Sequence, residues 1–354
     1  MHPSPTMDAA VSRPPPRLKR WLLRALLALF SCLIALIAAE ILLRRGGSAD
    51  PFEGFGMYVH DPLLGWALAP GARTRQSNRE YDVAVRINDQ GFRADREYSH
   101  APALGATRVV AVGDSFTFGQ GVEIQEAWPS ILERRLGKAD VVNLGVPGYG
   151  VDQQLLMLES RGLSYQPDIV VLGLHTPDVF RNTNASHGRY AKPLFRIRED
   201  DLSLELTNVP TPPPGTPVPP PDRGPLHRSR LFQMVFTRLE RHGAGEVWEV
   251  TEAILRRMAD TASQAEARLV VLLLPPQYAV YGGALESKSQ AHTTGLIAAI
   301  LRGQGIEHLD LTPALAKAAE KNPAERLFYP GDGHFTAAGN RVVAEELLRR
   351  LGKR

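Results

Sequence analysis

The stretch "RVVAVGDSFTFGQG", Arg108 to Gly121, runs from a short apolar segment into Gly-Asp-Ser-Phe and puts Ser115 at the corner where a buried strand gives way to a helix. A serine at such a corner caps the helix or attacks a carbon. As a nucleophile its hydroxyl is weak and needs a nearby base, itself oriented by a third group. The segment "YPGDGHFTAAG", Tyr329 to Gly339, offers both: Asp332 and His334 stand two positions apart, just before the last helical pattern. In an extended segment residues i and i+2 share a side, so Asp332 is expected to orient the His334 imidazole without long-range help. The chain order serine, acid, histidine occurs among convergent serine hydrolases, although the Gly-x-Ser-x-Gly elbow is absent here. Backbone N–H groups opening the helix are free to hold a developing oxyanion. The chemistry to expect is acyl transfer through Ser115, with Asp114 a turn-stabilising carboxylate. No His-Glu-x-x-His or cysteine pattern points to a metal, and no cofactor is expected.

Such residues meet only if the chain supplies a scaffold. From Thr107 onward the pattern alternates strand and helix. The strands "RVVAVG", "VVNLG", "DIVVLGL", "LVVLLL" and "IEHLDL" are short, Val/Leu-rich and apolar on both faces. Amphipathic stretches separate them at Trp128–Leu136, Val151–Leu163, Gly245–Arg268 and Ser287–Arg302, and "FTAAGNRVVAEELLRRL" closes the chain as a helix. This predicts an α/β fold, a doubly wound sandwich on a parallel sheet, with ligands binding beyond the carboxyl ends of the strands, where Ser115 sits. "KPLFRIREDDLSLELTNVP" reads as a hairpin, and "TPPPGTPVPPPDRGP" as polyproline. Together they form an insertion at about residues 192–225.

Residues 46–106 lack helical periodicity. "YDVAVRIN", Tyr81 to Asn88, alternates as a half-buried strand, and the whole reads as a small β-rich lead-in to the domain of residues 107–354. Before it, Trp21 to Leu43 would span roughly 34 Å as a helix, about one bilayer core. Arg13, Arg17, Lys19 and Arg20, in a cytoplasmic tail of residues 1–20, precede the span, and only Arg44 and Arg45 follow it closely. That bias predicts a single-pass anchor in the inner membrane with its N-terminus in the cytoplasm and the domain outside, in the periplasm. Ile37, bulky at the −3 position for cleavage after Ala39, favours an uncleaved helix over a signal peptide. The lone cysteine, Cys32, lies within the span, so no internal disulfide forms. The 354 residues carry a net charge of +3 with basic residues dispersed beyond the N-terminal cluster, which excludes a nucleic-acid footprint.

At these motifs the sequence resembles the SGNH (GDSL-type) hydrolase family. "GDSF" matches its first block, "NLGVPGYG" its second and "DGHFTAAG" its last, over about Thr107 to Leu351; "DPLLGWALAPGA" and "RINDQGFRADRE" resemble the lead-in of membrane-anchored bacterial members. The resemblance implies a three-layer α/β/α sandwich with a five-stranded parallel sheet in flavodoxin-like order. It implies Ser115 as nucleophile, His334 as base, Asp332 as its partner and the Gly145 backbone N–H as an oxyanion donor. The last block departs from the commoner Asp-x-x-His spacing. In "GLHTPDVFRN" Asp178 aligns, but Pro177 stands where the oxyanion asparagine is expected; His175, Thr176 and Asn182 are the candidate substitutes. The function so implied is a serine esterase removing a small, acetyl-like acyl group from a cell-envelope carbohydrate. The alternatives are an O-acyltransferase using the same covalent step, and a weakened carbohydrate-binding or assembly factor.

Overall fold

A computed structural model describes residues 17–45, 56–216, 229 and 245–352. The expected polyproline tract lies outside the described residues from position 217 to its end. The described residues fall into two compact units, one holding 17–45 and 229, the other 56–216 and 245–352.

In the first unit, helix α1 spans Arg17–Arg45. Within it lies the 22-residue apolar stretch Trp21–Leu42, with an 18-residue window of mean hydropathy 2.6 that is not buried. It is long and apolar enough to cross a bilayer, a property that an anchor and a signal sequence share.

The second unit opens with two antiparallel hairpins, β1 (Tyr58–Asp61) with β2 (Gly65–Leu68), and β3 (Arg73–Ser77) with β4 (Asp82–Arg86). The parallel sheet follows: β5 (Thr107–Gly113), β6 (Ala139–Gly145), β7 (Ile169–His175), then, after the insertion, β12 (Arg268–Leu274) and β13 (Glu307–Asp310). Its spatial order is β13-β12-β7-β5-β6, all parallel. Numbered along the sheet's own strands this is 2-1-3-4-5, the flavodoxin-like order, which switches direction at the first strand. Ser115 therefore follows the strand flanked by β6 and β7, where a crevice opens between opposite crossovers.

Alternation along each strand divides the core into two layers. Val110, Val112, Leu144, Leu172 and Val271 point to one face, against helices α4 (Val151–Ser160), α5 (Gly245–Gln264) and α7 (Ala284–Gly303), the last preceded by the short α6 (Gln277–Tyr281). Val109, Ala111, Val171, Val270 and Leu272 point to the other, against α3 (Trp128–Leu136), α8 (Thr312–Lys321) and α9 (Ala337–Leu351). Lead-in residues Met57, Trp66, Val85, Ile87 and Phe92 are buried in the first layer, so the hairpins share the main core. β13 is half-buried throughout, the lot of an edge strand, rather than apolar on both faces. The insertion begins earlier than expected, with the short pair β8 (Ser186–His187) and β9 (Tyr190–Ala191), before the hairpin β10 (Leu194–Ile197) and β11 (Leu204–Thr207). It is pinned where the Lys192 ammonium meets the Asp152 carboxylate of α4, both fully buried.

Candidate active site

β5 ends at Gly113 and the chain turns at once into a single helical turn, α2 (Ser115–Phe118). Asp114 is its N-cap, its carboxylate accepting the Phe116 N–H at 2.9 Å. Gly119, at φ +85°, ends the turn. The buried Arg93 of the lead-in then donates to the carbonyls of Phe118 (3.0 Å), Gly119 and Val122. A cation bonded to the last carbonyls of a helix satisfies groups that otherwise lack partners. Burial pulls the Arg93 guanidinium down to about 10, so it keeps its charge at neutral pH.

The turn lies on the strand ends because those ends are glycine. Gly113 of β5 pairs in register with Gly145 of β6 and Gly173 of β7. A Cβ on Gly145 would lie 2.3 Å from the Phe118 nitrogen. Asn143 completes the seat, its amide donating to the Thr117 carbonyl at 3.0 Å and its Oδ1 accepting the Gly145 N–H at 3.0 Å. The Gly145 N–H thus has a protein acceptor in this arrangement.

Ser115 is 7% exposed, and its Oγ lies 2.8 Å from His334 Nε2. The other ring nitrogen, Nδ1, faces Asp332 Oδ1. Hence an alcohol and an imidazole 219 positions apart meet within hydrogen-bond reach. The acid–imidazole pair does not meet along an extended segment. The loop from Tyr329 to Phe335 folds back, with the Tyr329 N–H on the His334 carbonyl (2.9 Å) and the Gly333 N–H on the Tyr329 carbonyl (2.8 Å). Gly333 adopts φ +84°, which brings its neighbours' side chains together across a turn. Burial pushes the Asp332 carboxyl up, but hydrogen bonds from His334 and Tyr81 and the nearby imidazole outweigh it and hold the carboxyl below its ordinary range.

Three groups of the lead-in reach this loop. The Tyr81 hydroxyl donates to Asp332 Oδ2 at 2.8 Å, and the Asn78 amide approaches the same oxygen at 3.4 Å. The Glu80 carboxylate accepts the N–H groups of Gly331 (2.9 Å) and Asp332 (2.7 Å). Sequence reasoning missed all three, and Arg93 as well. Only the turn chemistry of "SNREY" hinted at the first three, as Asn78 Oδ1 caps the N–H groups of Glu80 and Tyr81.

The candidate oxyanion substitutes separate. Thr176 accepts from Gln290 at 2.6 Å and donates towards the Leu274 carbonyl; Asn182 donates to Thr251 at 2.9 Å and accepts the Asp152 N–H at 3.3 Å. Both are fully buried, with these hydrogen bonds holding their polar atoms in the core. His175, at the end of β7, instead stacks on Phe116 with ring centres 4.2 Å apart, and Phe116 in turn lies 4.9 Å from the His334 ring. Its Nδ1 is 3.4 Å from Asp178 Oδ1 and 3.8 Å from Asp114 Oδ2, while its buried Nε2 has no partner among the described residues. Burial drops the His175 imidazole to about 3, so it is neutral at pH 7. Burial, with mutual repulsion adding for Asp114, raises the Asp114 and Asp178 carboxyls to about 6. Asp114, His175 and Asp178 bring their ligand atoms within 4.8 Å of one another, a spacing that a metal ion tolerates. Arg181 already bonds Asp178 there and supplies the positive charge.

The profile of the GDSL-like Lipase/Acylhydrolase family matches residues 111–342. No curated protein matches in sequence. Among solved structures, a G-D-S-L family lipolytic protein from Desulfitobacterium hafniense DCB-2 is similar at 17% identity, covering 69% of this chain and 98% of that one, with a TM-score of 0.41. A G-D-S-L family member from Veillonella parvula DSM 2008 is similar at 14% identity, 70% and 100% coverage and a TM-score of 0.42. A catalytic mutant of the acetylxylan esterase Axe2 from Geobacillus stearothermophilus is similar at 13% identity, 70% and 95% coverage and a TM-score of 0.43.

Proposed function

The chain belongs to the GDSL-like lipase/acylhydrolase family and is an ester-hydrolysing serine hydrolase, and on that premise we propose that Ser115, His334 and Asp332 carry its reaction. The observation behind this reading is the 2.8 Å approach of Ser115 Oγ to His334 Nε2, with Asp332 at the opposite nitrogen. His334 removes the Ser115 proton as Oγ attacks the ester carbonyl, and Asp332 holds the ring in the tautomer whose Nε2 accepts. The tetrahedral oxyanion forms beside the first turn of α2, where the Ser115 N–H has no intrahelical partner. His334 then protonates the departing alcohol, leaving an acyl-enzyme. Water, deprotonated by the same imidazole, releases the acid and restores Ser115.

We further propose that α1 is an uncleaved anchor, that the catalytic unit works outside the cytoplasm, and that its substrate is a small acyl ester on an envelope carbohydrate. The charge bias around Trp21–Leu43 supports the orientation. The test is acetate release from an acetylated polysaccharide by the parent and by Ser115→Ala, alongside protease digestion of intact spheroplasts. Release by the parent alone, with the domain cut from outside, supports the reading. Equal release by both proteins, or a domain protected until lysis, overturns it.

A further inference from the structure

Building on that assignment of Ser115, His334 and Asp332, we propose that the turn between β3 and β4 is part of the catalytic machinery. Tyr81 is its positioning residue, holding Asp332 in line with His334. The two carboxylate oxygens of Asp332 have different partners: Oδ1 meets His334 Nδ1, and Oδ2 accepts the Tyr81 hydroxyl at 2.8 Å. A carboxylate bonded on both oxygens cannot rotate away from the imidazole without losing one of them. Glu80 fixes the backbone beneath it, accepting the N–H groups of Gly331 and Asp332. Asn78 shapes the turn that aims both side chains, its Oδ1 accepting the Glu80 and Tyr81 N–H groups at 2.7 and 3.0 Å.

The same hairpin also grips the nucleophile's side of the site. Gln76 accepts the Gly121 N–H at 3.3 Å, and Glu123, just beyond α2, accepts the Ala84 N–H at 3.1 Å. The Tyr81 ring packs at 5.0 Å on Tyr329, whose hydroxyl donates to the Gly121 carbonyl at 2.9 Å. One hairpin therefore touches the segment that follows Ser115 and the loop that carries His334. It sets their separation as well as the aim of the carboxylate.

Tyr81→Phe keeps the ring and removes the hydroxyl. Its loss leaves more of the Asp332 charge facing His334, which favours the imidazolium. The other charged or titratable groups around the pair, Glu80 and Tyr329 by Asp332 and His175 by His334, are unchanged. The experiment measures p-nitrophenyl acetate kcat/KM from pH 5 to 9 for the parent, Tyr81→Phe, Asp332→Asn and the double variant, with a thermal melt of each. A hydrogen bond to a charged acceptor predicts a loss of about 10-fold or more in kcat/KM for Tyr81→Phe. The acid limb should move to higher pH, and adding Tyr81→Phe to Asp332→Asn should change the rate less than twofold. Parent-like kinetics in Tyr81→Phe, or a full additional loss in the double variant, overturns the proposal. An inactive parent would instead overturn the underlying catalytic assignment. Glu80→Gln is the second probe should Tyr81→Phe melt early: it should lower kcat with a smaller change in KM, and an unaltered kcat there also counts against the proposal.

Discussion

Replacing Gly145 with alanine tests how closely α2 is seated on the sheet. The added Cβ would lie 2.3 Å from the Phe118 nitrogen, 2.7 Å from the Thr117 carbonyl carbon and 2.9 Å from the Phe118 Cα. All three are backbone atoms, so no side chain can swing aside. Reaching a 3.0 Å separation requires a shift of about 0.7 Å, and an ordinary contact about 1.1 Å. β6 is a buried strand locked in register with β5, so the four-residue α2 is the part that gives. Ser115 rides on it, and its 2.8 Å contact with His334 stretches past the hydrogen-bond limit of about 3.2 Å. A misplacement of about 1 Å costs roughly 10²-fold in rate, and the overpacking costs about 1–3 kcal/mol of stability. The assay pairs kcat/KM on p-nitrophenyl acetate with a thermal melt. Gly295→Ala, on α7 where nothing lies within 4 Å of the new methyl, serves as the control that keeps full activity. A Gly145→Ala enzyme within threefold of the parent and with the same Tm would refute the idea that this glycine seats the nucleophile.

Two further outcomes follow from the charges around the site. Asp332→Asn removes the anion opposite the imidazole and favours the wrong tautomer, so kcat should fall by about 10³–10⁴ while the Ser115 site stays folded; a loss under tenfold contradicts the orienting role. Asp114, raised to about 6 chiefly by burial, holds its proton more tightly in the folded state than in the unfolded one. The stability this contributes is complete below the ordinary carboxyl range near 4 and is lost as pH rises through about 6. Asp114→Asn retains an acceptor for the Phe116 N–H but lacks that proton. The Tm of the parent relative to the variant should therefore decline between pH 4 and 7, and a constant difference across that range contradicts it.

The parts of the site that are local in sequence were legible there. Ser115 announces itself because a strand ends in Gly-Asp-Ser, and α3 matches its expected bounds, Trp128–Leu136, because Pro129 and the apolar spacing mark it. Helix α8 escaped notice: "TPALAKAAEK" buries only Leu315, so its apolar stripe is too thin to register. The Asp332–His334 pairing was legible as a spacing but not as a geometry, since the left-handed Gly333 replaces the extended segment. Tyr81 and Arg93 were illegible for another reason. Each is a single polar residue whose partner is fixed by tertiary packing, Asp332 lying 251 positions from Tyr81 and the Phe118 carbonyl 25 positions from Arg93. Thr176 and Asn182 look available near a strand end in the sequence, whereas tertiary packing buries both in hydrogen bonds with Gln290 and Thr251.

The most direct measurement is covalent capture by a fluorophosphonate probe, with the adduct mapped by mass spectrometry in the parent, His334→Ala and Ser115→Ala. One adduct on the Ser115 peptide of the parent, formed at least 10²-fold more slowly without the imidazole and absent without the hydroxyl, is the predicted result. A parent that stays unlabelled, or that labels at another residue at a rate indifferent to His334, contradicts it.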